Sequence, residues 1–167
     1  MKNSIFILAV IVIGVGATAV LDIWSLMLKR VLKVASLNFC LVGRWLSHMR
    51  EGVIKHQSIT SAAPRRMECG IGWTAHYLIG IAFAAGLVAM AGTDWLFHPT
   101  LLPALLFGIA TVLFPFLFMQ PALGLGIAAS KTPHPAKARL RSLASHAVFG
   151  IGLYISALAL SSFISRL

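Results

Sequence analysis

Four long apolar stretches alternate with polar connections along the chain. They cover residues 5–28, 71–91, 101–119 and 143–164, and they contain almost no charged side chains. At a rise of about 1.5 Å per residue, each is long enough to cross a hydrocarbon core about 30 Å thick. Because a backbone in lipid must satisfy its own hydrogen bonds, the pattern predicts an all-α fold, a bundle of four transmembrane helices.

The connection over residues 29–70 contains a further predicted helix. Apolar residues recur at helical spacing from Phe39 to Met49, and Arg44 and His48 share the opposite, polar face. A basic amphipathic helix beside a membrane often lies in the plane of the lipid headgroups. We therefore predict that Arg44, Trp45 and His48 meet the membrane interface. A loop helix that packs on the end of the bundle is the alternative.

The second and fourth stretches resemble each other. The pattern His76-x-x-x-Gly80 recurs as His146-x-x-x-Gly150. This repeat predicts two tandem helical hairpins related by an axis along the membrane normal. We expect the two hairpins to form a single membrane domain over residues 1–167.

Composition supports a membrane protein and excludes several other classes. Of the 167 residues, 59% are hydrophobic and 11% are charged, and the mean hydropathy is +0.90. Soluble domains carry charge on about a quarter of their residues. A disordered chain and a disulfide-stapled secreted domain are therefore excluded. Cys40 and Cys69 are expected to be reduced cytosolic thiols.

The positive charges predict how the chain crosses the membrane. Eight of the 14 Lys and Arg residues lie in residues 29–70 and four in residues 120–142, whereas residues 92–100 carry none. The positive-inside rule places the two basic connections in the cytoplasm and both termini, with Lys2 and Arg166, outside. The basic residues form no stripe with aromatic residues, so we expect the lipid bilayer and not nucleic acid as the partner.

A few polar residues interrupt the apolar stretches at similar predicted depths. Asp22 lies near the cytoplasmic end of the first stretch, and His76 and His146 lie near the starts of the second and fourth. A charge inside a bilayer costs at least about 2.5 kcal/mol on insertion scales, so such residues normally face the bundle and pair. We predict one polar intramembrane site of Asp22, His76 and His146, with Thr18 and Gln120 beside them.

The third stretch carries a proline, Pro115, and ends at Gln120-Pro121. A proline inside a helix removes a backbone donor and frees a carbonyl. Broken helices of this kind line cavities in some transporters, whereas a simple proline kink is common in membrane helices. Both alternatives stay open from the sequence.

Several motifs resemble those of one bacterial inner-membrane family. They include Gly72-Trp73-Thr74-Ala75-His76-Tyr77, Met119-Gln120-Pro121 and Arg139-Leu140-Arg141-Ser142. The resemblance is to the domain of unknown function 2938 and runs through nearly the whole chain. It implies a four-helix protein of the bacterial inner membrane, and it supplies no activity.

Four classes of function fit this pattern. The first is proton- or cation-coupled transport at Asp22 with the histidines as a relay, for which so small a chain needs a homodimer or a partner membrane protein. The second is redox chemistry, with His76 and His146 as ligands of haem b or of a metal ion. The third is an enzyme that acts on lipid headgroups, which the absence of a nucleophile motif disfavours. The fourth is a structural or accessory membrane subunit, and neither it nor transport requires a resident cofactor.

Overall fold

The structure, a computed structural model, describes residues 2–34 and 37–164. In these ranges the chain forms five helices and no β-strand. The helices are α1 (Lys2–Val31), α2 (Phe39–Met49), α3 (Glu68–Ala91), α4 (Leu101–Ala110) and α5 (Pro135–Ile164). Arg166, which the charge count assigns to a terminus, lies outside the described residues.

Four segments are long and apolar enough to cross a membrane. They are Phe6–Val31, Glu68–Ala91, Leu101–Ala122 and Pro135–Phe163. Large apolar side chains such as Ile23, Leu78 and Leu106 remain exposed along them, as expected for surfaces that face lipid. The all-α fold class with four candidate transmembrane helices is therefore confirmed, and α2 confirms the predicted helix in the first connection.

The helices α1, α3 and α5 are longer than the apolar stretches that predicted them. The largest difference is in α5, which begins at Pro135 rather than at residue 143. Hydropathy shows which residues lipid accepts, whereas a helix continues for as long as its backbone can form the next hydrogen bond. Lys137 and Arg139 are good helix formers, and proline suits the first helical turn, so the helix extends past the apolar stretch.

The helices contribute to two compact units. Unit 1 consists of the described residues of 1–36, 77–110 and 144–167, and unit 2 consists of those of 37–76 and 111–143. Unit 1 therefore contains most of the four long apolar segments, and unit 2 contains α2 and most of the two basic connections. The single domain over residues 1–167 stays a prediction.

Glycine contacts hold the helices of unit 1 close together. Gly14 of α1 faces the backbone of α3, where a Cβ on Gly14 would lie 2.5 Å from the Cα of Ile81. Gly150 of α5 faces α4, where a Cβ would lie 2.7 Å from the carbonyl oxygen of Ala104. Such small residues let transmembrane backbones approach each other. Each predicted hairpin, α1 with α3 and α4 with α5, thus has a glycine at its contact.

The core of unit 1 is apolar and fills the space around these contacts. Ile13, Leu87 and Leu153 are the largest side chains that are fully buried there. At the end near the connection between α3 and α4, Trp95 is buried and its indole Nε1 donates a hydrogen bond to the carbonyl of Thr100, 3.2 Å away. The polar tip of this tryptophan is therefore satisfied inside its own turn.

A second glycine crossing organises unit 2. A Cβ on Gly43 of α2 would lie 2.6 Å from the backbone nitrogen of Gly72 in α3, and it would also collide with the Glu68 carbonyl. Beside this crossing, Val42, Trp45 and Ile59 form a small core with residues 122–123. The first turn of α2 therefore lies directly against the first turn of α3.

The third apolar segment is irregular after α4. It continues as a π-helical turn, Pro115–Met119, and a short α-helical turn, Gln120–Ala122. Pro115 has no N–H to donate, which accounts for a disturbance at this position. The chain then bends at Gly124 and Gly126, whose φ angles of 89° and 76° favour glycine. The predicted irregularity is confirmed, and a cavity lined by it stays a prediction.

The glycine contacts predict a sharp difference between two Gly→Ala variants. Gly14→Ala places a Cβ against the α3 backbone and should lower the free energy of unfolding by about 1–3 kcal/mol through overpacking. Gly70→Ala has open space around its Cβ, and alanine favours a helix, so stability should stay the same or rise slightly. Thermal unfolding of both variants in the same detergent tests this. Equal destabilisation would contradict the close approach of α1 and α3.

Candidate functional site

A hydrogen bond between two helices lies at the centre of the candidate site. The hydroxyl of Tyr77 on α3 donates to Oδ2 of Asp22 on α1, with 2.9 Å between the oxygens. Both side chains are half-buried in unit 1. A hydrogen bond to an ionised carboxylate is stronger than one between neutral groups. The predicted inward orientation of Asp22 is therefore matched by a polar partner within the bundle.

The contact follows from the packing one turn away. Thr18 lies four residues before Asp22, and Gly80 lies three residues after Tyr77, so each pair shares a helix face. The Thr18 hydroxyl packs against Gly80 and donates to the Gly14 carbonyl at 2.8 Å. Thr18 is only 1% exposed, so it serves as a packing residue whose polar group is satisfied within α1.

His146 lies in the same unit on α5. Its imidazole hydrogen-bonds the backbone of Gly108 on α4. Gly152, also on α5, packs beside Ala17 and Val20 of α1. Counting from this contact at about 1.5 Å per residue, His146 and Asp22 lie within about 6 Å of each other in depth. Their common depth in a membrane stays a prediction.

His76 belongs to unit 2. Its ring stacks on Phe39 with 4.0 Å between the ring centroids, and it meets the ring of Trp73 edge-on at 5.8 Å. Because His76 and Asp22 belong to different units, their meeting in one three-residue site stays a prediction. Ligation of haem or a metal ion by His76 and His146 stays a prediction as well.

Tyr77 is the site residue that the sequence reasoning missed. Its only signal was its place beside His76 in an apolar stretch, at the depth predicted for Asp22. A tyrosine has an apolar ring and a polar tip, so it is common in helices and draws little notice. The rotation of α3 relative to α1, which aims the hydroxyl at the carboxylate, is not encoded in any local pattern.

Unit 2 contains a bidentate ion pair that the sequence did not suggest. Arg44 of α2 donates from Nε and Nη2 to the two carboxylate oxygens of Glu68 on α3, each at 2.8 Å. Its Nη1 also donates to the carbonyl of Ala62 at 3.1 Å. The hydrogen bond that Arg44 donates to the Glu68 carboxylate raises the pKa of the Arg44 guanidinium above its ordinary value. This fork geometry requires an arginine.

The polar side of α2 is covered by the segment that follows it. Trp45 Nε1 donates to the carbonyl of Ile54 at 2.8 Å, and Nε2 of His48 lies 3.0 Å from the carbonyl oxygen of Ala63. Trp45 and His48 are each 8% exposed. Binding of lipid headgroups by Arg44, Trp45 and His48 stays a prediction, but these contacts favour a packing role. Helical spacing identifies a shared face and does not show what covers it.

The prediction of reduced cysteines is wrong for this structure. Cys40 and Cys69 form a disulfide. Each cysteine lies three residues before a glycine of the crossing, Gly43 or Gly72, so the crossing brings the two sulfurs together. The separation of 29 residues along the chain carried no sign of this proximity.

Gln120 is deeply buried in unit 2. It is 7% exposed, and its Oε1 has no hydrogen-bond partner among the described residues. It was predicted beside Asp22, His76 and Thr18 in one polar site. Gln120 and Thr18 belong to different units, so this part of the site also stays a prediction.

The comparison with protein families identifies the chain. The model of the family described as "Protein of unknown function (DUF2938)" matches residues 11–160. The chain belongs to this family. The match covers both units and every site residue discussed above, and it confirms the resemblance seen in the motifs. Searches of curated proteins and of solved structures find no match.

DUF2938 membership supplies no activity, and the side chains of each unit offer the chemistry from which a function follows. Unit 1 contributes a carboxylate bonded to a phenol, with an imidazole at similar depth. Such groups can accept, hold and pass a proton. Unit 2 contributes an ion pair, a disulfide and buried imidazoles, which bind α2 to its surroundings.

The two ion pairs of unit 2 predict different mutational effects. Glu68→Gln removes the partner of a guanidinium whose side chain is only 12% exposed, and should clearly lower the melting temperature. Glu51→Gln breaks the pair with Arg65, in which Glu51 is 54% exposed, and should have little effect. Thermal unfolding followed by near-ultraviolet circular dichroism compares the two. A larger loss for Glu51→Gln would contradict the assignment.

Proposed function

We propose that this DUF2938 chain is a multi-pass protein of the bacterial inner membrane that takes up and releases a proton or a small cation at Asp22. The observation that carries the proposal is the hydrogen bond from the Tyr77 hydroxyl to the Asp22 carboxylate between two candidate transmembrane helices. Asp22 is the only Asp or Glu among the first 50 residues. Carboxylates retained within membrane helices commonly mark ion or proton paths.

The neighbouring groups suit proton transfer. A phenol both donates and accepts hydrogen bonds. Tyr77 can therefore donate to the ionised Asp22 carboxylate and accept from the protonated one, by rotation of its O–H. His146, at similar depth in unit 1, and His76, next to Tyr77 in the sequence, are relay groups in this proposal. Each ring nitrogen of an imidazole can either donate or accept a hydrogen bond, as a relay requires. A dimer or a partner membrane protein supplies the remainder of a path.

The proposed orientation places residues 29–70 and 120–142 in the cytoplasm and both termini in the periplasm. The count of twelve Lys and Arg residues in these connections supports it. Asp22 then lies seven residues before Lys29, near the cytoplasmic boundary. Protease added to spheroplasts should leave residues 29–70 intact and should cleave them in inverted vesicles. The opposite pattern would overturn the orientation.

Proton flux into vesicles tests the proposed function. The purified chain is reconstituted into liposomes that contain a pH-sensitive dye, and a potassium diffusion potential drives proton entry. Proton flux with the wild-type chain should exceed the flux in protein-free vesicles. Asp22→Asn should reduce the flux to that of protein-free vesicles, because a side-chain amide does not take up a proton near neutral pH. Asp94→Asn, which changes an exposed carboxylate in the Thr93–Leu96 turn, should retain the flux.

A structural subunit is the second candidate, because the same hydrogen bond also ties α1 to α3. In that case Asp22→Asn loses expression or folding, and Asp22 has no role beyond packing. Tyr77→Phe separates the two functions, since it keeps the carboxylate and removes the tie. Retained flux in Tyr77→Phe together with lost flux in Asp22→Asn supports proton uptake. Wild-type flux in Asp22→Asn contradicts it.

A further inference from the structure

Two histidines of unit 2, one buried and one half-buried, face each other and have no role in the proposed proton site. His48 lies on α2, and His56 follows in the segment after it. Their ring centroids are 5.0 Å apart, with the rings inclined at 73°. Both ring nitrogens of His56 are buried and have no hydrogen-bond partner among the described residues. Buried imidazole nitrogens normally have a hydrogen-bond partner or bind a metal ion. The unpartnered nitrogens of His56 therefore indicate a bound group.

The hydrogen bond of His48 prepares it to act as a ligand. Its Nε2 lies 3.0 Å from the carbonyl oxygen of Ala63. A carbonyl only accepts, so Nε2 carries the proton, and Nδ1 of the neutral ring presents its lone pair. Histidines that bind metals usually donate their other N–H to a carbonyl or carboxylate in this way. The Ala63 carbonyl thus holds His48 in the orientation that a metal ligand needs.

The separation of the rings matches two imidazoles around one ion. A metal–nitrogen bond of about 2.0–2.1 Å places each ring centre about 3.2 Å from the metal. At a tetrahedral angle, the two ring centres are then about 5.2 Å apart. The observed 5.0 Å is close to this value.

A further donor is available from a neighbouring segment. The backbone N–H of His56 donates to the carbonyl of Ala122 at 2.8 Å, so the segment that contains Gln120 runs beside His56. Oε1 of Gln120 is buried and has no partner among the described residues. The nearby guanidinium groups are neutralised, Arg44 by Glu68 and Arg65 by Glu51. The positive charge of an ion is therefore not opposed by unpaired arginines.

We propose that His48 and His56 bind one divalent transition-metal ion, with the Gln120 side-chain oxygen and water as further ligands. Imidazole nitrogens suit zinc, copper, nickel and cobalt, and an amide oxygen completes such a set without adding charge. Bound metal joins α2 to the segments around His56 and Gln120. Because Cys40 and Cys69 are oxidised, their sulfurs are not part of the set.

The test uses the full chain in detergent, purified without a histidine tag and without thiol reductants. Cu²⁺ and Zn²⁺ are titrated by calorimetry, and the Cu²⁺ complex is examined by electron paramagnetic resonance. The wild-type chain should bind one ion with hyperfine coupling to two imidazole nitrogens. His56→Ala should weaken binding at least about tenfold and remove one nitrogen coupling. His134→Ala, which changes an exposed histidine, should bind like the wild type.

Melting temperatures distinguish a loss of metal binding in His56→Ala from a loss of folding. The His56 side chain makes no hydrogen bond that its removal would break, and the effect of metal is measured within each protein, against the same protein without metal. Metal should raise the melting temperature of the wild type and leave that of His56→Ala unchanged. Failure of the wild type to bind either ion, or equal affinity in His56→Ala, would overturn the proposal and leave the two rings as an aromatic contact.

Discussion

The structure of unit 1 depends on the close approach of helix backbones at glycine. Lipid tails are as apolar as leucine, so transmembrane helices gain little from burying apolar surface against one another. Contact at Gly14 and Gly80 instead allows α1 and α3 to lie backbone to backbone. The same approach brings the Tyr77 hydroxyl within reach of Asp22. A larger residue at either glycine would separate the helices and with them the two polar groups.

Unit 2 follows the same rule with a different result. The crossing of Gly43 and Gly72 sets the starts of α2 and α3 side by side, and a disulfide and an ion pair then form around it. The disulfide lies one turn before the crossing, and the Arg44–Glu68 ion pair lies beside it. Persistent disulfides are typical of oxidising compartments, whereas the proposed orientation has this connection on the cytoplasmic side. In the proposed orientation, the bond therefore forms where reductants can reopen it.

Periodicity and hydropathy were sufficient for the elements, and they were insufficient for the contacts. The four apolar segments and α2 were predictable from the sequence. Segments that span lipid are long apolar runs, and an amphipathic helix has apolar residues at helical spacing. The Asp22–Tyr77 hydrogen bond and the Cys40–Cys69 disulfide depend on which helix neighbours which, and on how each is rotated. Local patterns do not encode those quantities. The polar face of α2 illustrates this, because helical spacing identified the face and did not reveal the segment that packs on it.

Glycine packing positions the Asp22–Tyr77 hydrogen bond. A double-mutant cycle between Gly80→Ala and Tyr77→Phe, measured by unfolding in detergent, tests it most directly. If the claim holds, Tyr77→Phe destabilises the wild type but costs little in the Gly80→Ala background, where the added methyl has already moved the tyrosine away from the carboxylate. Additive losses from the two substitutions would show that the hydrogen bond forms independently of the glycine contact, and would contradict the account.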